Sequence, residues 1–260
     1  MNDMKPTKRI EKLREQTFSS PMMAELPSHS WGLRRGVLLC EGWIDSGNQP
    51  TTRLRRAASQ AYRMERERVN INDHELIVGC PDLSGLTEDE RGRLAETTEI
   101  ARMCIPKSPG VYDHMAMDYE KLITVGLDGL ISEVNQHRKV LDLQLPESIA
   151  KDEFYHGCLL ELNALAGIAE RYVEHARALA ESSPPERARE LLAIADILTK
   201  VPTRPATTFR EALQSIHFYT FLLLGDYQMG RPDQYLIGLY RADIAAGRLT
   251  PESALELIDC

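Results

Sequence analysis

The sequence predicts a mainly α-helical protein with few short strands. Three observations carry that expectation. Over residues 150–180, Phe154, Cys158, Leu162, Leu165, Ala169, Tyr172, Ala176 and Leu179 recur at spacings of four and three, the stripe of a helix lying on a core. Helix-start signals recur along the chain, each a Ser or Thr just before a proline or three residues before a glutamate. Only residues 36–39 (GVLL) and 76–79 (LIVG) are short apolar runs able to pair as strands.

Taken in order, residues 53–68 carry six arginines around a helical apolar face of Leu54, Ala57, Ala58, Ala61 and Met64. The arginines read as a solvated face or a set of structural ion pairs rather than a phosphate-binding patch. Thr87 to Glu90 is a capping box. Asp118 opens a helix with Leu122, Ile123, Leu127, Leu130, Ile131 and Val134 on one side. Gly126 and Gly129 within it imply a close neighbour or a bend. In the long helix that follows, small Ala and Gly residues leave room for a neighbouring helix. Ser183-Pro184-Pro185-Glu186 starts the next helix with Ser183 as N-cap, and that helix runs to about Lys200. Two prolines make residues 201–205 an extended linker. Thr208 and Glu211 form a further capping box, before a face of Phe209, Leu213, Ile216, Thr220 and Leu223. Residues 233–246 are helical and end at Gly247. Thr250-Pro251 starts a last helix whose apolar register is still running at Cys260, as in a chain that continues.

The 260 residues suffice for one large domain or two small ones, with 43% hydrophobic and 27% charged residues, near globular norms. No apolar run approaches the ~20 residues of a spanning helix, and the N-terminus shows no signal-peptide core, so a cytoplasmic protein with no membrane partner is expected. A net charge of −8 disfavours nucleic acid. The five cysteines, Cys40, Cys80, Cys104, Cys158 and Cys260, are odd in number and widely spaced. They fit reduced, buried thiols, Cys158 best of all, with no zinc site and no disulfide framework.

A polar knot, Gly230-Arg231-Pro232-Asp233-Gln234-Tyr235-Leu236, interrupts the apolar C-terminal region. Together with Tyr240, Asp243-Ile244 and the Gly247 to Thr250 run, it resembles a signature of the glycyl radical enzymes, the pyruvate formate-lyase-like superfamily. Three other blocks agree in order: Ile71 through Gly79, His114 through Lys121 with Gly126-Leu127-Asp128-Gly129-Leu130, and Pro205 through Gln214. The blocks span roughly residues 55–260.

The resemblance implies an N-terminal extension over residues 1–50, partly irregular. Residues 51–260 would then be the truncated N-terminal part of a pyruvate formate-lyase-like domain, with the incomplete start of its ten-stranded α/β barrel. It places His114 near substrate, able to donate a hydrogen bond or a proton; the alternative is a cap on the helix at Asp118. Asp113 stands where the family usually has glycine. Arg231, Asp233, Gln234 and Tyr235 are implied to lock loop and helix structurally. No metal ligand is implied. No cysteine loop or radical-glycine loop of the family's kind is recognisable, so no catalytic residue is assigned here. The complete enzyme is expected to carry a glycyl radical installed by a radical S-adenosylmethionine activase, to include a further C-terminal part, and to form a homodimer. The isolated chain would be inactive. A stand-alone helical scaffold that binds a partner is the competing reading.

Overall fold

The computed structural model describes residues 5–19, 30–80, 82, 84, 86–104, 115–223 and 227–260. Its helices are α1 (Lys8–Ser19), α2 (Ser30–Asp45), α3 (Thr52–Arg66), α4 (Glu88–Cys104), α5 (Tyr119–Lys139), α6 (Pro146–Ser182), α7 (Pro185–Leu198), α8 (Phe209–Leu222), α9 (Pro232–Tyr235), α10 (Ile237–Ala245) and α11 (Pro251–Asp259). A 3-10 turn, Ser46–Asn48, follows α2. Strand structure among the described residues is one parallel pair, β1 (Met115–Ala116) and β2 (Tyr227–Gln228). No helix among them is long and apolar enough to cross a membrane.

Local chemistry sets many helix starts. The Thr87–Glu90 box closes in both directions, Glu90 N–H to Thr87 Oγ1 at 3.2 Å and Thr87 N–H to Glu90 Oε2 at 2.8 Å. The Thr208–Glu211 box closes likewise. At α11 the partner of Thr250 is Ser253. Asp118 caps α5 through Lys121 N–H at 2.9 Å.

The core gathers around α6. Leu165, Ile168, Ala169, Tyr172 and Ala176 are buried against Leu191, Ile194 and Leu198 of α7 and against Ile216, Phe218 and Leu222 of α8. Tyr172 meets Phe218 edge-on, ring centroids 5.0 Å apart. Small residues do let helices close up: a Cβ on Gly157 of α6 would stand 3.4 Å from Ala57 Cβ of α3.

Both answers to the Gly126 question hold. The helix kinks there, at φ 65° and ψ 178°. In the opening, Leu127 and Asp128 N–H donate to the carbonyls of Pro202 and Thr203, each at 2.9 Å. Residues 201–205 are therefore a turn rather than an extended linker, held by α5 on one side.

Several expectations are corrected. Residues 36–39 lie inside α2, where Val37 and Leu38 join Cys40 and Trp43 in the core; a four-residue apolar run carries no period of its own. Residues 76–79 bend at Leu76 and Ile77 and pair with no strand among the described residues. Ser183 closes α6 instead of opening α7, its Oγ donating to Leu179 O at 2.7 Å, and Pro184 stands at the N-cap. The start of α6 overhangs the core, so Phe154 is 54% exposed. Cys158 is only partly buried, and Cys40 is the buried thiol among the four cysteines with described side chains. Residues 233–246 form two helices, α9 and α10, that meet at Leu236. Gly247, at φ 66°, ends the second.

The arginines of residues 53–68 are structural. Arg68 pairs with Glu90 (2.7 Å) and Asp82 (3.2 Å), Arg66 with Glu65 (3.0 Å), and Arg55 stacks over Trp43.

Candidate functional site

The four blocks that carry the resemblance, far apart in sequence, converge on α8. Gln214, buried on that helix, donates from Nε2 to Val78 O (2.8 Å) and accepts from Val78 N–H at Oε1 (2.9 Å). Its side-chain amide thus stands in for the neighbouring strand that residues 76–79 lack. One turn on, His217 Nε2–H donates to Gly79 O at 3.1 Å. Tyr119, at the start of α5, reaches Thr220 Oγ1 of α8 at 3.1 Å, and its ring lies 6.2 Å from that of Tyr235 in the knot. β1 then pairs Met115 with Tyr227 and Ala116 with Gln228. The His114 and knot blocks are thereby neighbours in space, although His114 itself lies outside the described residues.

In the knot, Arg231 grips Asp233 with two nitrogens, at 2.8 and 2.6 Å. Gln234 Nε2 adds a 3.0 Å bond to Asp233, and Tyr235 Oη donates to Met229 O at 2.8 Å. Arg231 and Asp233 are exposed. Arg231 holds the Asp233 carboxyl far below its usual range.

The knot's tie to the core runs through a residue with no assigned role in the sequence reading. Asp243 of α10 is buried, accepts Phe209 N–H at the start of α8 (2.8 Å) and binds Arg248 at 2.7 Å. An aspartate in the inward register of an apolar helix was the available signal.

The other end of α8 is held by buried charge. Glu67 bonds Arg35 and, at 2.5 Å, Arg63. Arg35 donates to Phe221 O with two nitrogens at 3.1 Å, and Arg63 to Leu222 O at 2.6 Å. These are carbonyls of the last helical turn, which lack intrahelical partners. Burial lowers the pKa of Arg35 to about 10, against the pull of Glu67, so Arg35 stays charged at neutral pH; burial shifts Arg63 in the same direction, again opposed by Glu67.

Between α8, the knot, α10 and α11 lies an open, apolar groove of about 520 Å3, lined among others by Ile77, Leu213, His217, Met229, Tyr240 and Ile258. Met229 is 41% and Ile258 59% exposed there. The four cysteines with described side chains all have pKa values raised by burial, Cys260 to about 11. They are held as thiols, poor nucleophiles.

Burial also lowers the pKa of His217, with the Gly79 carbonyl acting in the opposite sense. The unfolded chain then binds the proton more readily, so stability should fall as pH drops through the ordinary histidine range toward the folded value. Melting at pH 7.5 and 5.5 is expected to show a smaller acid penalty in His217→Gln than in the parent. An equal penalty refutes the assignment.

Residues 92–260 match the family described as pyruvate formate lyase-like. Isethionate sulfite-lyase of Nitratidesulfovibrio vulgaris is 34% identical over 151 residues, 55% of this chain and 18% of that protein. The (2S)-3-sulfopropanediol dehydratase of Klebsiella oxytoca is 34% identical over 152 residues, 56% of this chain and 18% of that enzyme. The chain thus matches under a fifth of the length of these curated relatives. A solved structure concerned with 1,2-propanediol dehydration in Roseburia inulinivorans superposes with a TM-score of 0.85 at 24% identity. The match covers 99% of this chain and 37% of the other.

Proposed function

The chain belongs to the pyruvate formate lyase-like family, and from that premise we propose that it is the N-terminal part of a glycyl radical lyase or dehydratase acting on a small metabolite. One observation carries the reading: β1 and β2 pair in parallel with helices α5 to α8 between them. Parallel neighbours need a long crossover, and a closed barrel is built from such units. In this reading β1 and β2 begin a ten-stranded α/β barrel. Residues 1–50 are an N-terminal extension, and residues 51–260 are the first part of the catalytic domain. The apolar groove, with Met229 and Ile258 bare, is the surface that the remaining barrel packs against.

Within that frame His114, next in sequence to β1, is substrate-proximal and supplies a hydrogen bond or proton to a leaving group. Arg231, Asp233, Gln234 and Tyr235 fix the loop that leads out of β2. The glycyl radical would supply hydrogen-atom abstraction through a cysteine, and both residues belong to the C-terminal part of the enzyme. A radical S-adenosylmethionine activase installs the radical, the complete enzyme is a cytoplasmic homodimer, and the 260 residues alone are inactive.

The coding DNA beyond Cys260 tests this directly. The frame is expected to continue into a cysteine loop and a radical-glycine loop. A stop codon, with no separate gene supplying those loops, overturns the reading and favours a scaffold. The purified 260-residue chain should also bind a hydrophobic dye and self-associate. A monodisperse monomer that leaves the dye dark counts against it.

A further inference from the structure

A second cavity, of about 400 Å3, is lined mainly by α5 and α6 and shares no residue with the knot's groove. Leu130 and Val134 of α5 face Leu162 and Leu165 of α6 across it, with Met64 of α3 and Leu223 after α8 completing the apolar walls. One wall is aromatic: the rings of His137 and Tyr155 stack with centroids 5.8 Å apart and planes 16° apart, and Phe154 leans on Tyr155 at 5.8 Å.

The charged groups lining this space are not equivalent. Lys121 and Glu133 are paired with each other at 2.7 Å, and His137 stands 3.8 Å from the same Glu133. Glu161 forms no hydrogen bond or ion pair among the described residues. The cation that influences it is Arg63. Arg63 is already committed, with Nε to Gln60 (3.2 Å), Nη1 to Glu67 (2.5 Å) and Nη2 to Leu222 O (2.6 Å). Burial raises the pKa of the Glu161 carboxyl, and Arg63 offsets this only in part. Glu161 is thus a partly buried carboxylate with no donor from the described residues, lining a largely apolar space.

We propose that this cavity binds a small organic ammonium, its charged nitrogen donating to Glu161 and its apolar or aromatic body lying against Tyr155 and Phe154. The volume suits a ligand of this size. The aromatic faces attract cations, and a hydrogen bond between two ions is stronger than one to a neutral hydroxyl.

Calorimetric titration of the 260-residue chain with 2-phenylethylamine, beside 2-phenylethanol, tests the assignment. The amine should bind at one site at least about tenfold more tightly than the alcohol. Glu161→Gln should weaken the amine by at least about tenfold and bring the two ligands level. That variant removes a desolvated charge, so its melting temperature should equal or exceed the parent's. Phe154→Ala, at an exposed position that does not threaten folding, should weaken the amine several-fold. Absence of saturable amine binding to the folded chain, or undiminished binding by folded Glu161→Gln, overturns the proposal. Should Glu161→Gln fail to fold, undiminished amine binding by Phe154→Ala overturns it equally.

Discussion

Glu67→Gln is expected to lower stability by roughly 3–5 kcal/mol, the cost of removing one partner from a buried ion pair. Glutamine keeps the shape of the side chain but leaves Arg35 and Arg63, 3% and 1% exposed, without a counter-charge. For a domain of this size the melting temperature should fall on the order of 10 °C. The effect reaches beyond local energy, because the same two arginines hold Phe221 O and Leu222 O at the end of α8. Urea titration of the variant beside Arg66→Ala makes the comparison. Arg66 and Glu65 form an exposed pair, with side chains 48% and 57% accessible, and the loss there should stay below about 1 kcal/mol. Equal losses in the two variants would refute the account of a buried charge cluster.

Gly126→Ala is expected to cost roughly 2–6 kcal/mol. The residue sits at φ 65°, ψ 178°, a backbone region that is essentially glycine's own and costs other residues about 1–3 kcal/mol. A Cβ would also stand 2.5 Å from Thr203 O and 2.6 Å from Arg204 C, backbone atoms that cannot swing aside. Overpacking of this kind adds about 1–3 kcal/mol. Relief would break the bonds from Leu127 and Asp128 to the 202–203 turn. Gly238→Ala is the control, since nothing lies within 4 Å of its Cβ position, and it should be neutral or stabilising by up to about 1 kcal/mol. If Gly126→Ala melts with the parent, the kink does not constrain the helix.

The parts of this fold that were legible in the sequence are those decided within one turn of chain. The boxes at Thr87 and Thr208 need only residues three apart, and each closes as expected. Gly126 was legible as an anomaly, because a glycine in a strong helical register needs a reason. Most of the rest depends on partners far along the chain. Residues 76–79 have strand composition, but their partner is a glutamine side chain on α8. Arg63 reads as one of six surface arginines until Glu67 and the end of α8 enclose it. The stripe on α6 has the right period, but Phe154 lies beyond the helices that cover the rest. At the candidate site, the knot's residues were legible through resemblance. Asp243 was legible as a member of the signature and by its inward register, but its bond to Phe209 was not; Glu67, which holds the arginines at the other end of α8, was not legible, because nothing local separates a buried glutamate from a solvated one.

The ties between the first helices and α8 also bear on the order in which a growing chain can settle. Arg35 waits 186 residues for Phe221, Arg63 waits 159 for Leu222, and Val78 waits 136 for Gln214. On the ribosome, where synthesis proceeds residue by residue, the early helices can pack on α4 and α6, but these three ties cannot close until α8 clears the exit tunnel. Nascent chains arrested before that point should therefore be more protease-sensitive around Glu67 and Val78 than released chains, and resistance there should rise once α8 emerges.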